Sequence, residues 1–181
     1  MDDDRLNECA RAHREGDLDG LRVLVEELSR PLIAMAWRYV GDRETARDLT
    51  QETWLRVHRS VRQWDPDRPV RPWIFGILRN LCLDHLRRPS PELVDEGVLH
   101  DVPGAGIDPL AETANREFGD RLRAALGELS SIQRQVFTMV DLEELAPSDV
   151  AATIGMKPVT VRTTLHFARR KLARLLGRED T

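Results

Sequence analysis

The sequence predicts an all-α chain made of two small helical domains joined by an acidic linker, and three observations carry that reading. Apolar residues recur at helical spacing in both halves, and no segment of useful length alternates with period two, so strands are not expected. Between the periodic blocks, Pro89, Pro91, Pro103, Gly104, Gly106 and Pro109 interrupt an acidic stretch without periodicity. Roughly 25 structureless residues inside one compact domain would be unusual. Near the C-terminal end, two short helical runs flank Gly155, as in a helix-turn-helix. These features divide the chain into a domain over 1–88, a linker over 89–113 and a second domain over 114–181.

Each element has its own signal. Leu21, Leu24, Val25, Leu28, Leu32, Met35 and Ala36 keep helical spacing across Pro31, which should kink the helix or start a second one. Gly41-Asp42 ends that run, and Asp42 or Arg43 opens the next, with Ala46, Leu49, Thr53, Trp54, Val57 and Val61 on one face. Asp65-Pro66-Asp67-Arg68-Pro69 is a loop by composition. Ile74, Ile77, Leu78, Leu81 and His85 mark a third stripe, ending at Arg87-Arg88 before Pro89. Beyond the linker, Phe118, Leu122, Ala125, Leu126 and Leu129 form one amphipathic helix, and Ile132, Val136, Phe137, Met139 and Val140 a second. Helices from Pro147 to Ile154 and from Pro158 to about Leu176 come next. Their prolines suit a first turn, where the missing N–H costs nothing, and Gly155 suits a left-handed C-terminal cap.

Composition narrows the function classes. With 41% hydrophobic and 32% charged residues among 181, the chain can bury a core and is not disordered throughout. No stretch approaches the 18–20 apolar residues of a membrane span, and the acidic start, Met1-Asp2-Asp3-Asp4, does not look like a secretory signal. Two cysteines, Cys9 and Cys82, make no disulfide framework, and a cytoplasmic location is expected. Neither Cys82-Leu83-Asp84-His85 nor Cys9 with His13 assembles the four ligands of a structural zinc site, so no metal is expected, and Cys82 and His85 read as core. There is no phosphate loop, nucleophile elbow or metalloprotease motif, so neither a cofactor nor an enzyme activity is expected.

Charge is unevenly placed. Residues 1–88 are neutral and residues 89–127 carry a net −5, whereas no acid falls between Asp149 and Glu179. In that interval lie Lys157, Arg162, Arg169, Arg170, Lys171, Arg174 and Arg178, an electrostatic footprint for a phosphate backbone. The last helix turns Val161, Leu165, Ala168, Leu172, Leu175 and Leu176 towards its own domain. Its other side offers Thr160, Arg162, Thr163, His166, Phe167, Arg169 and Arg170, preceded by Lys157. Arginine makes bidentate contacts to guanine, and Thr or Phe can touch a thymine methyl group.

At these residues the sequence resembles a known family. Leu129-Ser130-Ser131-Ile132-Gln133-Arg134-Gln135-Val136-Phe137, Asp149-Val150-Ala151, Gly155-Met156, Thr160-Val161-Arg162 and Leu165 to Arg169 resemble region four of extracytoplasmic-function sigma factors. Gly41-Asp42, Ala46, Asp48-Leu49, Gln51-Glu52 and Leu55, then Trp73-Ile74, Arg79-Asn80, Asp84 and Leu86-Arg87-Arg88, resemble region two. The resemblance implies an initiation factor that binds the clamp helices and flap of core RNA polymerase and directs it to promoter DNA. On that resemblance, region four reads the −35 element with the residues named above. Region two captures the melted −10 element with Trp73, Arg79, Asn80, Asp84, Arg87 and Arg88, and meets the polymerase clamp with Asp48, Gln51, Glu52 and Leu55. Single-strand capture needs an apolar wall, hydrogen-bonding groups and cations, types these residues supply, although Trp73 suits a core position equally well. The resemblance also implies an anti-sigma partner and an acidic linker that mimics nucleic acid in a basic polymerase channel.

The pattern departs from the family in places. Ala146-Pro147 and Lys157-Pro158 stand where serine usually caps the two helices, Phe167 replaces a usual arginine, and Thr164 a usual basic residue. A divergent −35 preference is expected from the last two. From the residues alone two rivals stay open. A DNA-binding regulator that never joins polymerase would leave the Trp73–Arg88 motif idle, and a pure interaction module would not need the basic helix.

Overall fold

The computed structural model describes residues 3–87, 119 and 121–177, and the regular structure among them is entirely helical. Arg88, the linker 89–113, Phe118 and Arg178 lie outside the described residues. The first bundle comprises α1 (Asp3–Glu15), α2 (Leu18–Val40), α3 (Arg43–Ser60) and α4 (Val70–Arg87), with a short 3-10 turn at Val61–Gln63. The second comprises α5 (described over 121–127), α6 (Ser131–Phe137), a π-turn over Thr138–Leu142, α7 (Pro147–Ile154) and α8 (Pro158–Leu175).

Helix α1 was not expected, because its buried stripe is only Leu6, Ala10 and His13, too sparse to show as periodicity. Asp3 and Asp4 in its first turn and His13 and Arg14 in its last complement the helix dipole. It packs closely on α2 at Gly20, where a Cβ would lie 2.4 Å from the Cys9 carbonyl oxygen. Two side chains of α1 organise the chain between α3 and α4. The Val70 N–H donates to Asn7 Oδ1 (2.8 Å), capping α4, and Arg11 Nη2 donates to the Pro66 carbonyl (3.0 Å) in the loop before it.

Pro31 neither breaks α2 nor starts a new helix: α2 runs through it and buries Leu24, Leu28, Leu32, Met35, Ala36 and Tyr39 along one side. Neighbours on three sides (α1, α3 and α4) hold it, and such packing outweighs one lost backbone bond. Gly41 closes it in the left-handed conformation (φ 76°), and Asp42 opens α3 by accepting from the Thr45 N–H at 2.7 Å. That bond draws the Asp42 carboxyl below its ordinary range. Thr50 and Thr53 are buried on α3 because each hydroxyl donates to a carbonyl four residues back, at 2.8 and 2.7 Å.

In the second bundle, Ser130 and Gln133 form a capping box for α6. The expected continuous helix over Ile132–Val140 instead widens into the π-turn, closing with the Glu143 N–H on the Thr138 carbonyl (3.0 Å). The chain then turns at Glu144 with φ 53°, a left-handed conformation that costs a non-glycine residue about 1–3 kcal/mol. Helices α7 and α8 fall where the prolines and Gly155 place them, the latter at φ 71° with its N–H on the Ala151 carbonyl. Neither helix has a side-chain N-cap. On α8, Val161, Leu165, Ala168 and Leu172 are buried and Leu176 packs partly against the same cluster, but Leu175 stands 45% exposed.

Where the sequence suggests two bundles on a tether, the structure brings them together. Leu24, Leu28, Met35, Ile74, Phe75 and Leu78 of the first share one apolar core with Val136, Met139, Leu145, Val150 and Val161 of the second. Ala125, Leu126, Leu129, Ala168 and Leu172 form a separate cluster within the second bundle.

Replacing Asn7 by Ala should remove the cap on α4 and lower unfolding stability by about 1 kcal/mol. Urea denaturation followed by circular dichroism should show an earlier midpoint with an unchanged slope.

Candidate nucleic-acid interface

Three surfaces hold the residues singled out by sequence. On α8, the buried stripe forces the opposite face outward, and Thr160, Arg162, Thr163, His166, Phe167, Arg169 and Arg170 are all exposed there, with Lys157 exposed at the helix start. Phe167 is 53% exposed and meets the His166 ring edge-on at 5.7 Å. Val159, 62% exposed in the first turn, belongs to the same surface and was missed because valine reads as core. The Thr163 hydroxyl donates back to the Val159 carbonyl (3.0 Å).

The run of uncompensated charge is only partly uncompensated in space. Asp141, at the end of the π-turn, takes Arg169 in a bidentate pair, Nε to Oδ2 at 2.8 Å and Nη2 to Oδ1 at 2.5 Å. Lys171 donates to the Glu128 carbonyl. Lys157, Arg162, Arg170 and Arg174 have no ion pair among the described residues. Arg169 is therefore a pre-positioned arginine rather than a free one.

The second surface lies at α4 and the loop before it. A cleft of about 380 Å3 is bounded by Trp64, Arg68, Pro69, Trp73, Ile77 and Asn80, and by Asp149 and Thr153 of α7. Of the −10 candidates, the structure brings only Trp73 and Asn80 together in this cleft. Trp73 is half-buried against the core and Asn80 exposed, so Trp73 serves both readings at once. Arg79 is half-buried and turned to the second bundle, its Nε donating to Gln135 Oε1 (2.7 Å) and its Nη1 to Asn80 Oδ1 (2.8 Å). Asp84 leaves the group: it pairs with exposed Arg87 at 3.5 Å and borders a smaller cleft with Glu52, Arg56 and His85. Arg88 lies outside the described residues.

Sequence reasoning overlooked Trp64, which is buried beside the cleft with its indole N–H unpaired among the described residues. A tryptophan directly before an Asp-Pro loop was the available signal. It also overlooked Arg56 and Arg59, which with Asn80 border an adjoining hollow. His85, expected in the core, is exposed, since the α4 stripe turns outward after Cys82. Cys82 is fully buried, and burial pushes its thiol up to about 12, which keeps it protonated and unreactive. Among the described residues no group of three metal-ligating side chains occurs.

The third surface is the outer face of α3. Asp48 and Gln51 are exposed, Leu55 is 50% exposed, and Glu52 pairs with Arg56 at 2.9 Å. An exposed leucine among acidic and amide groups fits a partner surface that is apolar at its centre and basic at its rim.

Comparison with known proteins bears on both bundles. Residues 24–91 match the family described as Sigma-70 region 2, and residues 119–172 that described as Sigma-70, region 4. The chain is 32% identical to the ECF RNA polymerase sigma factor EcfG of Rhodopseudomonas palustris over 170 residues, covering 90% of each protein. It is likewise 32% identical over 165 residues to the ECF RNA polymerase sigma factor SigE of Mycolicibacterium smegmatis, spanning 87% of this chain and 62% of that protein. Among solved structures, CnrH in complex with the cytosolic domain of CnrY shares the fold, with a TM-score of 0.74, 23% identity, 99% of this chain and 100% of that one covered. So does RpoE in complex with the anti-sigma factor NepR from Bartonella quintana, at a TM-score of 0.67 and 21% identity, covering 88% and 99% of the two chains.

The Asp141–Arg169 pair has a measurable consequence. Asp141→Asn should remove a carboxylate that partly neutralises Arg169, so that affinity for a duplex rises at low salt and falls more steeply as salt is added. Fluorescence anisotropy across a salt series reads both quantities.

Proposed function

This chain belongs to the extracytoplasmic-function sigma factors of the sigma-70 family, and we propose how its residues perform the family's task. It is an initiation factor rather than a catalyst: it binds core RNA polymerase and directs transcription to particular promoters. The observation that carries this is the ordered pair of matched regions over 24–91 and 119–172. A plain DNA-binding regulator would not account for the first, nor an interaction module for the open basic face of α8.

Region four reads the −35 element as a duplex. Helix α8 enters the major groove by its N-terminal half, the usual geometry of a helix-turn-helix. Arg162 and Arg170 reach guanine edges, while Phe167 and Val159 meet thymine methyl groups. Lys157 and Arg174 hold phosphates and set the register, and Arg169, braced by Asp141, holds a third. Phe167 and Thr164 replace two cations with an apolar and a neutral contact, which shifts preference towards thymine and away from guanine.

Region two captures the −10 element as a single strand. An extruded base enters the cleft, stacks on Trp73 and meets the Asn80 amide, and Arg79, Arg87 and Arg88 take the backbone. Trapping the base offsets lost stacking, so opening the duplex requires no nucleotide hydrolysis. Asp48, Gln51, Glu52 and Leu55 dock on the polymerase clamp helices, and region four on the flap. The partners are core polymerase, promoter DNA and an anti-sigma factor, and the site of action is the cytoplasm. No helix among the described residues is long and apolar enough to cross a membrane.

Run-off transcription with purified core polymerase on a promoter library should give transcripts that depend on this protein and share an upstream motif. Trp73→Ala should lower open-complex yield at least tenfold while leaving binding to the −35 duplex within twofold. Arg162→Ala should do the reverse, costing about 1–3 kcal/mol in duplex binding. Selection with Phe167→Arg should recover a different −35 motif, and an unchanged motif would contradict the role given to Phe167.

A further inference from the structure

Arg5, Arg22, Arg56, Arg68 and Arg87 of the first bundle each pair with a carboxylate, at 2.9–3.5 Å. Arg14, Arg59 and Arg62 do not. Among the described residues none of the three has an ion pair or a hydrogen bond, and all three border one hollow of about 330 Å3. They come from three elements: Arg14 from the last turn of α1, Arg59 from the last turn of α3, and Arg62 from the 3-10 turn beyond it. His13, Gly16, Leu18, His58 and Val61 complete the wall, so no carboxylate belongs to it. A helix C-terminus favours a cation, which accounts for one arginine at the end of α1 and one at the end of α3. It does not account for a third beside them, since like charges repel unless an anion lies among them.

The two histidines give a second, independent sign of a ligand. His13 is only 4% exposed. Its Nδ1 lies 3.3 Å from the Asp17 carbonyl, which can only accept, so this nitrogen carries a proton. Its Nε2 lies 3.3 Å from Nδ1 of His58, and in neutral His13 it accepts the His58 N–H. That chain of bonds occupies His58 Nδ1 and leaves His58 Nε2 to meet a ligand. A single proton shared between Nε2 and a phosphate oxygen makes that contact, whichever of the two brings it.

The guanidinium fork matches the oxygens of a phosphate two at a time. Three forks therefore offer more paired donors than the oxygens of one phosphate can take. The volume lies in the usual range for a small-ligand site, about 300–1,000 Å3. We propose that this hollow binds an anion bearing two adjacent phosphates, with Arg14, Arg59 and Arg62 on their oxygens and His58 Nε2 sharing a proton with one of them. Two sources carry that chemistry: a free diphosphate, and consecutive nucleotides of a single strand. Arg59 links the hollow to the second, because it also borders the adjoining one with Arg56 and Asn80. The site stands on its own residues and does not depend on the assignments of α4 and α8.

Isothermal titration of the full chain with pyrophosphate tests it. Wild type should bind one equivalent, and inorganic phosphate should bind at least tenfold more weakly. Arg14→Ala/Arg62→Ala should weaken pyrophosphate binding at least tenfold and His58→Ala severalfold, each with an unchanged circular dichroism spectrum. Arg30 and Arg47 are exposed, have no partner among the described residues and border no part of the hollow. Arg30→Ala/Arg47→Ala removes the same charge and should stay within twofold of wild type. Absence of pyrophosphate binding by wild type would overturn the inference, as would an equal loss in the two double variants. Anisotropy of a labelled single-stranded promoter fragment, with and without saturating pyrophosphate, identifies the source. Displacement assigns the hollow to the strand, and no displacement assigns it to a free diphosphate. A wild type that drives no transcript would sink the functional assignment and leave the titration to decide this site alone.

Discussion

Helix α4 serves two demands within eighteen residues, and the remaining structure is arranged around that. Val70, Ile74, Phe75, Leu78, Leu81 and Cys82 bury one side in the first bundle, while Trp73, Gly76, Ile77 and Asn80 leave the other to form a cleft. A helix can do both only if its ends and neighbours hold its rotation fixed, since a small turn about its axis would exchange core for site. Asn7 fixes the start of α4, and Arg11 fixes the loop leading into it, both reaching from α1. The least apolar helix of the bundle is thus the one that positions the cleft.

Polar groups at the contact between bundles specify its geometry more than they stabilise it. Burial raises the Glu143 carboxyl above its ordinary range, against the opposing pull of Arg38 and Arg71. A buried ion pair of this kind gains little net free energy over an apolar match, yet breaking one partner leaves a charge without solvent. It therefore penalises misplaced contacts heavily and rewards the correct one modestly. Burial likewise lowers the affinity of Arg79 for its proton, and its bond to Gln135 replaces the water it has lost.

Much was legible in local signals. Prolines at 147 and 158 announce the helix-turn-helix because proline fixes φ and lacks an N–H, and glycine at 155 because it adopts the left-handed cap without a steric cost. Asp42 announces α3 because its carboxylate accepts an N–H that the first turn would otherwise leave unpaired. What misled were inferences from one-dimensional neighbourhood. Pro31 ends a helix only where packing is absent, and here α2 runs on through it among three packed neighbours. Arg169 has no acid close to it along the chain, yet its partner Asp141 lies 28 positions away. His85 continues a stripe by spacing but lies beyond the point where the bundle covers α4.

Local patterns along the chain were enough for the helical class, the position of the recognition helix, which of its faces is open, and the family to which both halves belong. Those depend on backbone restriction and periodicity, which act over a few residues. Long-range packing alone established that α1 exists as the brace for the cleft, that Trp73 and Asn80 share a cavity while Asp84 does not, and that the two bundles meet through Arg38, Arg71, Arg79 and Glu143. Those depend on contacts between residues tens of positions apart, whose free energy comes from burial and charge pairing that no local pattern records.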